Sequence, residues 1–486
     1  MQMTVLYVKI IKYAYMNSPG HARLFRGLNM SVSVFFACLL CRLLRAMARL
    51  LHRGGTAMPG RFALKVCPGL LKVLAKDVST VAITGTNGKT TSARMVEEAF
   101  KEAGFDYFAN RSGANLISGI TTEFVLNASL TGKPRKKYAV IECDEAAARR
   151  VFGELQPKAV LVTNLFRDQL DRYGEVTHTL ENIREGLKKT PDTVLCLNAD
   201  CSLTSSLSLD LPNRCVFYGI DGTAAKNHRK PEISDATHCI RCKTEYEYEY
   251  ITYGHLGGFY CPKCGYSRHS ADVAVTDVAE RTADGSAVVM NIRGDRQAVT
   301  INLPAVYNIY NAAGALTAAT EMGVDVQTAI MALSQFKCGF GRMEKFDLGG
   351  RGARMMLIKN PAGANQVLEF LRDISDPFTL AVCLNDRSAD GTDISWIWDA
   401  EFEELAGMDR RVKKVIVSGD RAADMQVRMK YAGVPEEKLS AETDYEKLLD
   451  DLQKRDEPVF IMPTYTAMLE LREHLIKRCG GAEFWE

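Results

Sequence analysis

The chain has 486 residues, 47% apolar and 25% charged, with a formal net charge of +2. That length calls for roughly two or three domains with cores of their own, and a charge so near neutral excludes the global electrostatics of a nucleic-acid binder. Of the 14 cysteines only four stand in a tight paired pattern, which fits a reducing, cytoplasmic compartment with one metal site and scattered buried thiols better than a disulfide framework.

Residues 1–30, with Met3, Met16 and Met30, read as an extension ahead of the fold, non-native or disordered. Residues 31–78 are predicted to form an amphipathic helical arm. Within it "SVSVFFACLLCRLLRAMARLL" (31–51) is strongly apolar, but its longest uncharged stretch, Ser31 to Cys41, falls short of the ~20 residues of a spanning helix. Arg42, Arg45 and Arg49 recur at spacings of three and four and so share one helical face. That face either lies on an anionic membrane surface or forms a solvated stripe on a helix packed against the next domain. No small-residue cleavage site follows, which argues against a secretory signal. "HRGGTAMPG" (52–60) reads as a loop.

From Ser79 to about Gln335, strand-like runs alternate with helical patterns: "VAITG" (81–85), "YAVIECD" (138–144), "AVLVTNL" (159–165) and "TVLCLNAD" (193–200). The alternation predicts a parallel sheet flanked by helices in a central unit over 79–345. After "CVFYGI" (215–220) the pattern turns Tyr-rich and Cys-bearing, an inserted module at about 236–270, followed by short alternating strands such as "SAVVMNI" (286–292). A second α/β unit is predicted over 346–486, where "TLAVCLND", "KKVIVSGD" and "PVFIMPT" have the form of buried parallel strands.

The first predicted strand runs into "TGTNGKTT" (84–91) and then a helical pattern. The second half of a Walker loop is intact in Gly88, Lys89 and Thr90, while Ile83 stands where its first glycine belongs and Gly85 supplies the flexible turn. Backbone N–H groups at such a helix start point at phosphate oxygens. Lys89 can reach the terminal phosphates, and the Thr90 hydroxyl can hold Mg2+. Gly85, Thr86, Asn87, Gly88, Lys89, Thr90 and Thr91 are therefore the candidate nucleotide-binding residues. Cys239-x-x-Cys242 and Cys261-x-x-Cys264, with 18 residues between the pairs, match zinc-ribbon spacing. A closed four-cysteine set leaves no position for water, so the zinc is expected to be structural. The intervening "KTEYEYEYITYGHLGGFY" is acidic and aromatic, which argues against nucleic acid, and His255 and His269 read as bystanders.

"TGTNGKTT" also resembles the ATP loop of the Mur ligase family, which joins amines to carboxylates through an acyl-phosphate and includes the folylpolyglutamate synthases. The likeness continues in order through "ECDEA" (142–146), "TNLFRDQLDRYGE" (163–175), "LNAD" (197–200), "YNIYNAAGA" (307–315) and "GRME" (341–344). With the four-cysteine insert, "KNPAGANQVL" (359–368) and "NDRSADGTDISWIWDAEFE" (385–403), the chain is most similar to the MurT-type subunits of lipid II isoglutaminyl synthase, over about residues 32–475. The resemblance implies a Mur-ligase-like central P-loop ATPase domain with an inserted four-cysteine zinc ribbon, plus a C-terminal Rossmann-like α/β domain. It makes Glu142 a Mg2+ ligand, Asn308 and Asn311 adenine contacts, and Arg342 a phosphate clamp near the hinge; the bare sequence leaves helix capping open for the Asn pair. Gln169 stands where most of the family carries a metal-binding His, which puts a second Mg2+ site in doubt.

In "ADGTDISWIWD", Asp393, ahead of Asp390, would complete a Cys–His–Asp triad whose Cys and His come from a GatD-type glutaminase partner. The alternative is a capped helix start with packing tryptophans. The implied activity is ATP-dependent amidation of the D-glutamate α-carboxylate in the lipid II stem, at the cytoplasmic face of the membrane, with Lys89 and Glu142 serving catalysis. Two rivals stay open: a ligase that adds an amino acid, and a nucleotide-binding scaffold without chemistry.

Overall fold

The computed structural model describes residues 30–50, 57–110, 114–167, 176–224, 235–337, 342–350 and 352–480. The chain opens with three helices, α1 (Met30–Leu50), α2 (Ala57–Val66) and α3 (Leu70–Ala75). α1 buries a face made mostly of small residues, Ser33, Val34, Ala37, Cys38, Cys41, Leu44 and Ala48. Small side chains allow close approach, and α1 packs on α2 and on α5 (Ile117–Leu126). By length and composition α1 could cross a membrane, although Arg42 and Arg45 interrupt its second half. The expected outward basic stripe is not what the helix presents. Arg42 turns inward and donates to Val125 O (3.1 Å) and to Ala128 O, carbonyls at and just past the end of α5, and Arg45 is half-buried. Most of the outward face is apolar.

The central unit is one nine-stranded sheet, ordered β11-β10-β9-β6-β5-β4-β1-β3-β2. Its strands are β1 (Ser79–Thr84), β2 (Tyr107–Ala109), β3 (Tyr138–Glu142), β4 (Ala159–Val162), β5 (Val194–Asn198), β6 (Cys215–Ile220), β9 (Val273–Arg281), β10 (Ser286–Ile292) and β11 (Asp295–Ile301). β1 to β6 pair in parallel, and the apolar runs of β1, β3 and β4 are buried because helices cover both faces. The short alternating strands are an antiparallel extension of this same sheet: β9 joins β6 in parallel and then turns back through β10 and β11. Their alternate burial follows from having one covered face. α4 (Lys89–Glu102) packs against α8 (Val306–Glu321) and α9 (Val326–Gln335), and α6 (Glu145–Leu155) against α7 (Val176–Leu187). The cysteine-bearing module rises between β6 and β9 as a separate hairpin, β7 (Glu247–Tyr253) and β8 (Leu256–Tyr260).

The second unit is a six-stranded sheet in the order β12-β13-β17-β14-β15-β16. β12 (Arg342–Asp347) is antiparallel to β13 (Gly352–Met356), and β14 (Phe378–Cys383), β15 (Val412–Ser418), β16 (Leu439–Ala441) and β17 (Val459–Pro463) are parallel. Helices α10 (Pro361–Asp373), α11 (Ala422–Tyr431), α12 (Tyr445–Gln453) and α13 (Tyr465–Cys479) flank it. Its first strand starts at Arg342, a few residues before the boundary expected from the pattern.

Candidate active site and metal centre

β1 lies between β3 and β4, so the chain leaves it toward opposite sides of the sheet, and the loop after β1 falls at the switch point where α/β sheets bind ligands. The loop needs its two glycines. Gly85 and Gly88 have φ of +119° and +85°, a region that side chains rarely adopt. A Cβ on Gly85 would stand 2.3 Å from Thr163 Oγ1, and one on Gly88 only 2.1 Å from Asn311 Oδ1. Gly88 then caps α4, which begins at Lys89.

Lys89 is folded back into this cradle. Its Nζ donates to Gly85 O (2.5 Å), Thr86 O (3.2 Å) and the Glu145 carboxylate (2.8 Å). Burial alone would pull the ammonium below the ordinary lysine range, but the carboxylates of Glu145, Glu142 and Asp144 together outweigh burial and hold it above. Thr90 and Glu142, from helix start and strand end, meet: the Thr90 hydroxyl donates to Glu142 Oε2 at 2.8 Å. Two hard oxygen donors beside a phosphate cradle fit Mg2+. Thr91 is buried behind them.

The rest of the loop is held by residues the sequence reading passed over. Asn164 Oδ1 accepts from Asn87 N (3.0 Å), the Thr163 hydroxyl donates to Asn87 O (2.7 Å), and Thr86 Oγ1 accepts from Phe166 N (3.0 Å). Asn110 brackets Glu142, taking its N–H at 2.8 Å and donating to its carbonyl at 2.7 Å. From the second unit, Asn360 donates to Asn87 Oδ1 at 3.3 Å, so the start of α10 reaches the phosphate loop. The signals were present as Thr163–Asn164 after a strand, the second glutamate of "ECDEA" and the Asn of "KNPAG", but nothing local marks them as loop contacts.

Asn308 and Asn311 are buried on α8 and bonded to each other, Asn311 Nδ2 to Asn308 Oδ1 at 3.1 Å. Asn308 also donates to Pro304 O (2.7 Å), and Ser92 donates to Asn311 at 3.4 Å. The pair thereby ties α8 to the first turn of α4, next to Gly88. Arg342 opens β12, but its side chain lies outside the described residues, as does Gln169.

The four cysteines converge. Cys239 Sγ lies 3.5 Å from Cys264 Sγ and Cys242 Sγ 3.4 Å from Cys261 Sγ, with all four within 4.8 Å of one another. Four sulfurs around a tetrahedral zinc stand about 3.8 Å apart, so the set fits that ion. Each Cys-x-x-Cys turn closes with a left-handed residue, Lys243 at φ +62° and Gly265 at φ +74°. His255 stays outside the cluster, its Nε2 3.5 Å from Cys201 Sγ. With Cys201 at 0% and His255 at 1% exposure, this Cys–His pair is sealed from any substrate. The module is wired to α8 through buried Asp200, which accepts from Arg268 Nε (2.6 Å), Ile220 N (2.9 Å) and Tyr310 OH (2.5 Å).

In the second unit the two candidate aspartates part company. Asp390 is buried and accepts from Thr466 N (2.7 Å) and the Thr466 hydroxyl at the start of α13; burial pushes its carboxyl up. Asp393 accepts from Ser395 N (2.8 Å), which holds its carboxyl below the ordinary range, and is half-buried. Nearby, Trp398 and Tyr431 are exposed and meet edge to face.

Two family models match: the Mur ligase middle domain over residues 83–261 and the MurT ligase C-terminal domain over residues 357–468. The lipid II isoglutaminyl synthase (glutamine-hydrolyzing) subunit MurT of Streptococcus pneumoniae is 36% identical over 428 residues, covering 87% of this chain and 93% of that one. The chain belongs to the MurT family. The MurT subunit of Staphylococcus aureus (strain COL) is 32% identical, with 91% of this chain and 98% of that one covered. Among solved structures, a pseudomurein peptide ligase type C from Methanothermus fervidus aligns with a TM-score of 0.62 at 20% identity, over 82% of this chain and 79% of that one. The folylpolyglutamate synthase of Thermotoga maritima aligns at 0.58 and 14% identity, over 91% and 98%. These likenesses give the MurT-family chain a Mur-ligase α/β fold, and its middle domain makes it an ATP-dependent ligase.

Proposed function

We propose that this chain is the synthase subunit of a glutamine-hydrolysing lipid II isoglutaminyl synthase, working at the inner face of the cell membrane with a GatD-type glutaminase. The observation that carries the reading is a phosphate cradle with its Thr90–Glu142 oxygen pair, in a chain 36% identical to a subunit of that name. The α-carboxylate of the stem D-glutamate attacks the γ-phosphorus of ATP, a carboxylate–phosphorus bond forms, and ADP leaves. A carboxylate is a poor electrophile, whereas its acyl-phosphate has a leaving group. Ammonia adds to the acyl carbon, orthophosphate departs, a proton is lost, and D-isoglutamine remains.

In this scheme Lys89 reaches the terminal phosphates and stabilises charge developing on them. Gly85, Thr86, Asn87, Gly88 and Thr91 shape the loop around the phosphates, and Asn308 and Asn311 present amides to the adenine. Arg342 and Asn360 close on the phosphates from the second unit. Thr90 and Glu142 would hold Mg2+, which neutralises phosphate charge when bound, and the four cysteines would hold a structural zinc. Asp393 is the acid offered to the partner's histidine, since it is only partly buried and its carboxyl is held below the ordinary range, while Asp390 is buried and committed to Thr466.

The test combines the chain, a GatD-type partner and lipid II labelled with oxygen-18 in the acceptor carboxylate, with amide-15N glutamine. The expected result is oxygen-18 in orthophosphate and nitrogen-15 in the stem amide. Orthophosphate without oxygen-18 refutes the acyl-phosphate, and label arriving only from a free amino acid turns the reading to an amino-acid-adding ligase.

A further inference from the structure

The outward face of α1 carries Val32, Phe35, Phe36, Leu43 and Leu50, with Leu39 and Leu40 half-exposed between them. The spacing makes one continuous apolar stripe along the helix. Phe36, Leu43 and Leu50 are 47%, 55% and 68% exposed, unusual for side chains this large. The opposite face is packed on α2 and α5, so lipid cannot surround the helix and α1 does not cross a bilayer in this fold.

Beside the stripe stands a basic turn. "TGKPRKK" (131–137) carries Lys133, Arg135, Lys136 and Lys137 and no acid, and α1 itself has no acid. Ala128 bridges Pro134, Ser129 N donates to Lys133 O (2.7 Å), and Arg135 N donates to Asn127 O (2.8 Å), so the turn is built rather than loose. It abuts the helix: a Cβ on Gly132 would come 3.1 Å from Val34 Cγ1. The inward Arg42, bonded to Ala128 O, ties α1 to the base of this turn. Lys133, Arg135 and Lys137 are exposed, and Lys136 pairs with Asp106.

We propose that the α1 stripe and the 133–137 turn together seat the protein on an anionic lipid bilayer, the apolar side chains entering the interface and the basic turn meeting the headgroups. The identity of the occupant rests on charge complementarity and on the reading, above, that the substrate is lipid-linked. A second copy is the weaker fit, because pairing two stripes would bring two basic turns together.

The experiment is co-sedimentation of the full chain with vesicles of phosphatidylcholine alone or mixed with phosphatidylglycerol, at low and high salt. Binding to the anionic vesicles, reduced by salt, is expected. Each basic residue near an anionic surface is worth about a fivefold change in affinity, so Lys133→Glu/Arg135→Glu should weaken binding by roughly 25-fold or more. Phe36→Gln/Leu43→Gln should weaken it comparably, with circular dichroism unchanged because both side chains face outward. Failure of the full chain to bind overturns the proposal, as does binding that survives both double variants, whether carried by residues 1–29 or by another surface. A dimer that Phe36→Gln/Leu43→Gln dissolves assigns the stripe to a second copy instead. The assay uses neither ATP nor partner, so its failure leaves the amidation reading standing; a chain that binds vesicles yet transfers no label refutes only that reading.

Discussion

Glu145→Gln probes the hold on Lys89 in the phosphate loop. The Lys89 ammonium is buried among Gly85 O, Thr86 O and the Glu145 carboxylate, and that carboxylate also feels Lys359. Stranding a buried charge costs about 3–5 kcal/mol, but the amide keeps an acceptor oxygen and two carbonyls remain, so about 2 kcal/mol is expected. For a unit of this size that lowers the melting temperature by about 4–8 °C. Phosphate oxygens replace the lost carboxylate, so saturating MgADP should close roughly half the gap or more. Thermal melts of both proteins with and without MgADP read the effect. An unchanged melt without nucleotide, or a gap that MgADP leaves at full width, refutes the account of Lys89.

Three further outcomes are expected. Lys89→Ala should abolish substrate-dependent ATP turnover, measured as orthophosphate release, while leaving co-purification with the glutaminase intact; retained turnover would remove the loop from the chemistry. Asp393→Asn should cut glutamine-dependent amidation on the order of 10,000-fold and spare ammonia-dependent amidation, whereas Asp390→Ala should lower the melting temperature through the lost Thr466 bonds; equal loss of both nitrogen sources in Asp393→Asn would take that residue out of the triad. Cys242→Ser should abolish stoichiometric zinc in elemental analysis and weaken nucleotide binding through the Asp200–Tyr310 link to α8, since structural zinc is worth on the order of 10 kcal/mol to a small module; full zinc content in the variant would sink the ribbon assignment.

Local chemistry made much of this chain legible. Two glycines, a lysine and a threonine between a buried strand and a helix spell a phosphate loop, because backbone torsion and helix polarity are set within a few residues. Paired Cys-x-x-Cys turns spell a metal knuckle for the same reason. The apolar runs announced parallel strands. What failed was inference across distance. The spacing of Arg42, Arg45 and Arg49 promised a basic outer face, yet Arg42 turns inward onto carbonyls at the end of α5, and most of the outward face is apolar. Periodicity gives the angle of a side chain around its helix; it does not say which side the protein occupies.

The sequence by itself determined the kind of chemistry, since the loop, the cysteine pairs and the order of motifs are properties of adjacent residues. Only the tertiary structure decided how those pieces meet: that Glu145 holds Lys89, that Asn360 reaches Asn87 from the second sheet, that Asp390 is buried on Thr466 while Asp393 is only partly buried, and that α1 turns Arg42 inward. Those are contacts between residues far apart in the chain, and they are selected by which buried polar group most needs a partner.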